Sequence, residues 1–165
     1  MIIRTATTED LEAIAQAEAE SFPAAEAAGR DEFAERLKYY AGHFWLMFDG
    51  DRLVSFVDGF VTDEPDLTDE MYENAQMHNE QGAWQMLFGV VTVPEYRERG
   101  YAAELIRTAI ADSEKQGRKG VVLTCKEPLI GYYAQFGFRH EGISGSVHGD
   151  VVWHQMRLTF PKLNA

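Results

Sequence analysis

The sequence predicts a mixed α/β fold, a mostly antiparallel sheet of about six or seven strands with helices on both faces. Three features predict it. Apolar, β-branched runs bounded by turn residues alternate with segments of helical spacing, in the order β-α-α-β-β-β-α-β-α-β-β. An Asp49-Gly50 turn signal joins two of those runs as a hairpin. The stretch "VTVPEYRERGYAAELI", residues 91–106, switches from strand-like to helix-like spacing across an arginine-flanked glycine. With 165 residues the chain fits one domain, 1–165, because domains commonly run to about 150 residues.

Each element has a local cause. Residues 1–5 read as a short strand, and Thr8, Glu9 and Asp10 start a helix that carries Leu11, Ile14 and Ala15. Ser21-Phe22-Pro23 breaks it, and Asp31 caps a second helix with Phe33, Leu37 and Tyr40 on one side. The hairpin strands fall near 43–48 and 53–61. Residues 62–82 form a long polar insertion with a short helix starting at Thr68. A strand over 83–93 stops at Pro94, and a helix over 98–116 ends against Gly117. Residues 121–125 make a short strand buried on both faces, and Pro128 starts a helix carrying Leu129, Ile130 and Tyr133. Strands over 138–141 and 151–159 complete the order.

Composition narrows the partners. A formal net charge of −12 excludes a general DNA- or RNA-binding surface, which needs a basic face. No apolar run reaches the ~18 residues that span a bilayer, and residues 1–10 lack the pattern of a signal peptide, so no membrane partner and a cytoplasmic location are expected. Cys125, the single cysteine, sits beside Val121, Val122 and Leu123 and reads as a buried structural thiol. His43, His140, His148 and His154 lack metal-ligand spacing and read as structural, and no metal is expected. Between Arg52 and Arg97 there is no Lys or Arg, while Asp63, Glu64, Asp66, Asp69, Glu70, Glu73 and Glu80 fall in that interval. Such an interval is a solvated acidic loop or a field that draws in a cationic amine.

The junction at 97–103 reads as an anion site. A helix start leaves its first N–H groups unpaired and carries about half a positive charge. Gly100 lets a bulky ligand approach the backbone, Ala102 and Ala103 keep the first turn bare, and Arg97 and Arg99 add positive charge. The chain has no G-x-x-x-x-G-K-[ST], and Gly100 is not followed by the glycines of a dinucleotide fingerprint.

"VPEYRERGYA" resembles the R-x-x-G-x-[GA] segment of the GNAT family of N-acetyltransferases, and "YYAQFGF" at 132–138 resembles their second signature. The resemblance covers nearly the whole chain and is greatest to the arylalkylamine (serotonin-type) branch and its bacterial relatives. It implies a GNAT fold with splayed central strands, acetyl-CoA as cosubstrate, and a small primary amine as acceptor. By the resemblance, the pyrophosphate lies on the amides of Arg99, Gly100, Tyr101, Ala102 and Ala103. Arg97 positions the segment, and the pantetheine arm pairs with the strand edge at Val91, Thr92 and Val93. Tyr133, five residues before Phe138, matches the general-acid tyrosine, and a strand N–H around Phe88 to Val91 the oxyanion donor.

Two histidines relay a proton in the arylalkylamine enzymes, and a gap-free match puts them at Met86 and Phe88, which carry none. The remaining alternatives are Glu80, His78, a water held by Gln85, or no dedicated base at all. Phe22, Glu80, Trp84, Met86 and Phe88, with Tyr72, are the residues expected to contact the acceptor. Two other readings stay open: a non-catalytic acyl-CoA sensor of the same fold, and an acetyltransferase for peptide amino groups. Dimers are common in the family, which makes a homodimer the assembly to test.

Overall fold

A computed structural model describes residues 1–146, 149 and 151–162; His148 lies outside the described residues. The chain forms two compact units, Met1–Gly59 with Gly89–Ala109, and Phe60–Phe88 with Ile110–Ala165. Nine strands in two sheets stand among the described residues, against the six or seven expected in one.

The first unit holds an antiparallel sheet in the order β1 (Ile2–Thr5), β2 (Phe44–Asp49), β3 (Arg52–Asp58), β6 (Gly89–Thr92). The β2–β3 hairpin turns at Gly50 as predicted, with Asp49 opposite Arg52. Helix α1 (Leu11–Ser21) packs on β3 and β6 and buries Ile14 and Ala17. Its entry is capped one residue earlier than expected. Thr7, not Thr8, accepts the Glu9 N–H, and the Asp10 carboxylate accepts the Thr7 N–H at 2.8 Å and both Arg4 Nη atoms at 2.7 and 2.9 Å. The Arg4 hydrogen bonds hold the Asp10 carboxyl below its ordinary range. Helix α2 (Arg30–Tyr40) starts at Gly29 rather than at an Asp31 cap, and Phe33, Leu37 and Tyr40 are buried on it as predicted.

The second unit holds a five-stranded sheet in the order β4 (Val61–Thr62), β5 (Trp84–Leu87), β7 (Gly120–Cys125), β9 (His154–Thr159), β8 (Arg139–Ile143). Only β5 with β7 is a parallel pair there. Helix α3 (Asp69–Glu73) lies in the insertion, and α5 (Ile130–Ala134) follows β7. The insertion is anchored through Leu67, Met71 and Ala75, all buried. Arg157 donates to Pro65 O at 2.6 Å and pairs with Asp66 at 2.7 Å and Glu141 at 3.0 Å, and Gln155 accepts the Leu67 N–H at 3.1 Å.

Two boundary differences position the site. The single strand expected over 83–93 is two strands divided at Phe88, with β5 in one sheet and β6 in the other. Helix α4 spans Tyr101–Lys115 and starts three residues later than expected, because Glu98 (φ 63°) and Gly100 (φ 81°) are left-handed and cannot belong to a right-handed helix. Its end is as predicted. Gly117 N–H bonds Glu114 O at 3.0 Å and Arg118 N–H bonds Ser113 O at 3.2 Å, the double closure of a Schellman motif.

Candidate active site

β6 is an edge strand, and its register decides which main-chain groups are free. Val93 N–H donates to Val54 O at 3.0 Å, and the ladder pairs Phe56 with Val91 and Ser55 with Thr92. In an antiparallel pair the main-chain groups of alternate residues face the partner strand, so Val91 and Val93 turn theirs toward β3. Val91 O also accepts Ser55 Oγ at 2.7 Å. The expectation that Val91 and Val93 offer the edge is therefore corrected: Val90 and Thr92 face away. Thr92 O accepts Arg97 Nε at 3.1 Å, which leaves its N–H and both groups of Val90 as the open edge.

After Thr92 the chain makes a single 3₁₀ turn, Pro94–Tyr96, and then a left-handed bend through Glu98 and Gly100. Arg97 ties this bend back, because its Nη2 also donates to Ser21 O at the end of α1, at 3.1 Å. The first helical bond of α4 is Glu104 N–H to Gly100 O, 3.1 Å. The amides of Tyr101, Ala102 and Ala103 have no acceptor among the described residues, and no atom lies within 4 Å of where a Gly100 Cβ would stand. Three adjacent free donors at a helix start, opened to approach by Gly100, form a cradle for an anion.

Sequence reasoning passed over Tyr96, which braces this cradle. Its hydroxyl donates to Asp49 Oδ2 at 2.7 Å, a bond that pushes its pKa up. The guanidinium of Arg99 lies 5.3 Å from the ring centroid and that of Arg52 5.4 Å, and Arg52 in turn pairs with Glu95 at 3.0 Å. Nothing in the motif distinguishes Tyr96 from a surface aromatic; only the fold brings Asp49, 47 positions away, to its hydroxyl.

In the second unit Tyr133 is 7% exposed and stands edge-on to Tyr132 and Phe138, at 5.2 and 6.1 Å between ring centroids. Its hydroxyl has no hydrogen-bond partner among the described residues. Burial, and then the neighbouring Tyr132, Cys125 and Tyr72, push its pKa well above the ordinary phenol value, so it is a neutral O–H with a proton to give. Cys125 is buried as expected, with its thiol on Met156 Sδ at 3.7 Å and its pKa pushed up by burial.

The residues expected to meet the acceptor do not gather as one cluster within a unit. Phe22 ends α1 in the first unit and is half-exposed. Met86 is 0% exposed, so it is core in β5 and not a pocket wall. Trp84 lies under the Arg157 guanidinium, 4.6 Å from its ring. Phe88 is packed 4.9 Å from both Phe60 and Tyr72, and the Tyr72 hydroxyl meets Thr124 Oγ1 at 3.3 Å. Glu80 is paired with Arg118 at 2.8 Å. His78 Nδ1 accepts the Val61 N–H at 3.1 Å, which places its proton on Nε2, 3.4 Å from Glu80. Gln85, completely buried, donates from Nε2 to Phe60 O at 3.3 Å and Met86 O at 2.8 Å, which fastens the strand ends. His140 and His154 pair with each other across β8 and β9 at 2.9 Å.

The profile of the acetyltransferase (GNAT) family matches residues 11–138. Among solved structures, the GphF GNAT-like decarboxylase in complex with isobutyryl-CoA is similar, with a TM-score of 0.83 at 20% identity over 96% of this chain and 99% of that one. The ribosomal-protein-S18-alanine N-acetyltransferase from Escherichia coli has a TM-score of 0.75 at 17% identity, over 99% and 96%. The PaiA N-acetyltransferase from Thermoplasma acidophilum in complex with coenzyme A has 0.69 at 16% identity, over 96% and 98%. At these identities the structural likeness speaks for the fold alone. No helix among the described residues is long and apolar enough to cross a membrane.

Proposed function

Because the chain belongs to the acetyltransferase (GNAT) family, we propose that it moves the acetyl group of acetyl-CoA to a primary amine of a small molecule. The observation that carries this reading is the run of free amides at Tyr101, Ala102 and Ala103 behind a left-handed bend. The cradle suits the pyrophosphate, and the open edge of Val90 and Thr92 suits the amide groups of the pantetheine arm, as an added strand would. Arg97 and Tyr96 keep the bend in shape, and Arg99, stacked on the Tyr96 ring, supplies a positive charge beside it.

The chemistry asks for a neutral amine, a donor for the developing oxyanion and a proton for the departing thiolate. Within Phe88–Val91 the outward N–H of Val90 is the donor that suits the oxyanion, which leaves Val90 O and the Thr92 N–H for the pantetheine arm. Tyr133, a neutral buried phenol, gives its proton to sulfur. A primary alkylamine with a pKa near ~10.4 is neutral in only about one molecule in 10³ to 10⁴ at pH 7, so removing its proton is a real part of the barrier.

The test follows thiol release from acetyl-CoA across aryl amines, polyamines, amino acids and peptides. Release with a small primary amine supports the reading; release with peptides alone moves the acceptor class, and coenzyme binding with no release makes the protein a sensor. A second reading is favoured by Met86 and Phe88, which offer no base at positions where the arylalkylamine branch has two. Loss of CO2 from an acyl-CoA has no acceptor to deprotonate, and a decarboxylase shares this fold. Carbon dioxide release from malonyl-CoA separates the two.

A further inference from the structure

In the first unit one carboxylate oxygen is buried with no partner among the described residues. Asp58 ends β3 and is 0% exposed. Its Oδ2 accepts the Tyr40 hydroxyl at 3.2 Å and Arg36 Nη1 at 3.5 Å, both from α2, whereas Oδ1 has no partner among the described residues. Native proteins seldom bury a charged acceptor unused. The residue directly opposite on β6 is Gly89, where a Cβ would stand 2.6 Å from Oδ1. The strand therefore omits a side chain at the point this oxygen faces, and Gly89 itself is only half-buried. Charge is unbalanced as well. Glu18 of α1, also buried, accepts the Ala28 N–H at 2.9 Å and shares the field of the one guanidinium, Arg36, with Asp58. Two buried carboxylates face one buried cation.

We propose that Asp58 receives the acceptor's ammonium group: Oδ1 accepts one of its N–H groups and takes that proton, while Arg36 and Tyr40 hold Oδ2. This rests on the amine-acetylation reading above, in which the pantetheine arm runs along β6 and brings the thioester toward Gly89. The neutral nitrogen then attacks the thioester carbonyl, forming the C–N bond as the C–S bond breaks with its electron pair on sulfur. The nitrogen sheds its second proton to water, the thiolate takes one from Tyr133, and Asp58 and Tyr133 are reset by exchange with water. The sum is one proton released per acetyl group. Burial, partly offset by Arg36 and Tyr40, raises the Asp58 carboxyl above its ordinary range and so makes it a better proton acceptor than a solvated aspartate. The titratable and charged groups around it are Arg36 and Tyr40 of α2 and Glu18 of α1.

The full chain, acetyl-CoA and n-butylamine as probe provide the test, with thiol release measured from pH 6 to pH 11. Asp58→Asn should bind coenzyme as the wild type does, lose about 10²-fold or more in kcat/KM near neutral pH, and recover above pH ~10.4, where the amine is already neutral. An equal loss at every pH, or no loss, overturns the proposal. Should that variant fail to fold, Gly89→Ala keeps the carboxylate and covers Oδ1. A raised KM for butylamine at unchanged coenzyme affinity supports the assignment, and an unchanged KM overturns it. Wild-type protein that binds coenzyme yet releases no thiol to any amine overturns the underlying reading and this inference with it. Wild-type turnover with an unaltered Asp58→Asn profile overturns this inference alone.

Discussion

Tyr133 and Gly100 hold opposite ends of the proposed reaction, and each was visible as a residue type in a motif. Replacing Tyr133 by Phe removes a hydroxyl with no hydrogen-bond partner among the described residues, so the fold should tolerate it. Turnover should fall by about 10²- to 10⁴-fold with coenzyme affinity unchanged, and full activity in steady-state assays would remove its role as acid. Gly100 sits at φ 81°, where a side chain costs roughly 1–2 kcal/mol, and Gly100→Glu also brings negative charge to the cradle. Calorimetric titration should show coenzyme affinity weakened at least tenfold, and unchanged affinity would mean that the phosphates bind elsewhere. Asp58 and Tyr96 were illegible for a different reason. An aspartate at a strand end and a tyrosine in a loop are ordinary by themselves, and what makes them notable is a partner far away in sequence, Arg36 and Tyr40 for one and Asp49 for the other.

At the scale of elements, the hydrophobic pattern located most strands and helices, and its failures have two physical sources. Alternation of period two marks a run as a strand without saying which sheet it joins, so 83–93 read as continuous although it changes sheets at Phe88. The resemblance implies an open edge at Val91 and Val93, and the period cannot check it: the period fixes which residues share a side, and only the Val93–Val54 bond fixes which side. The pattern marks 62–82 as a polar insertion with one short helix, because acids outnumber apolar residues there. Leu67, Met71 and Ala75 nevertheless anchor it, and Asp66 and Glu80 are engaged by arginines. Arg157→Met should release residues 64–67 from the sheet, measured as faster limited proteolysis there with coenzyme affinity intact. Unchanged cleavage would show the apolar anchors to be sufficient.

For the molecule as a whole, pH dependence sums opposing groups. Glu18 has a carboxyl raised mainly by burial, so its contribution to stability is full below the ordinary carboxylate range and lost as pH rises through its folded value. Asp10 and Glu141, depressed chiefly by hydrogen bonds to Arg4 and Arg157, contribute above that range and lose their contribution as pH falls through their folded values. Glu18→Gln keeps an oxygen for the Ala28 N–H and removes the buried charge. Its melting temperature should exceed the wild type's by a few degrees at pH 8 and match it near pH 4, and a gain of equal size at both would point to something other than ionisation. With a net charge of −12, added salt should also raise the melting temperature by screening self-repulsion.

The three donors left open at the start of α4 have one more consequence. Most helices carry their own N-cap, usually a Ser, Thr, Asp or Asn side chain. Here that position falls to glycine, and on the proposed reading the coenzyme's phosphates supply the cap. On that reading, bound coenzyme completes the helix start, so coenzyme should stabilise the folded protein. Stability should climb with the logarithm of coenzyme concentration once the site begins to fill, by ~1.4 kcal/mol for each tenfold excess.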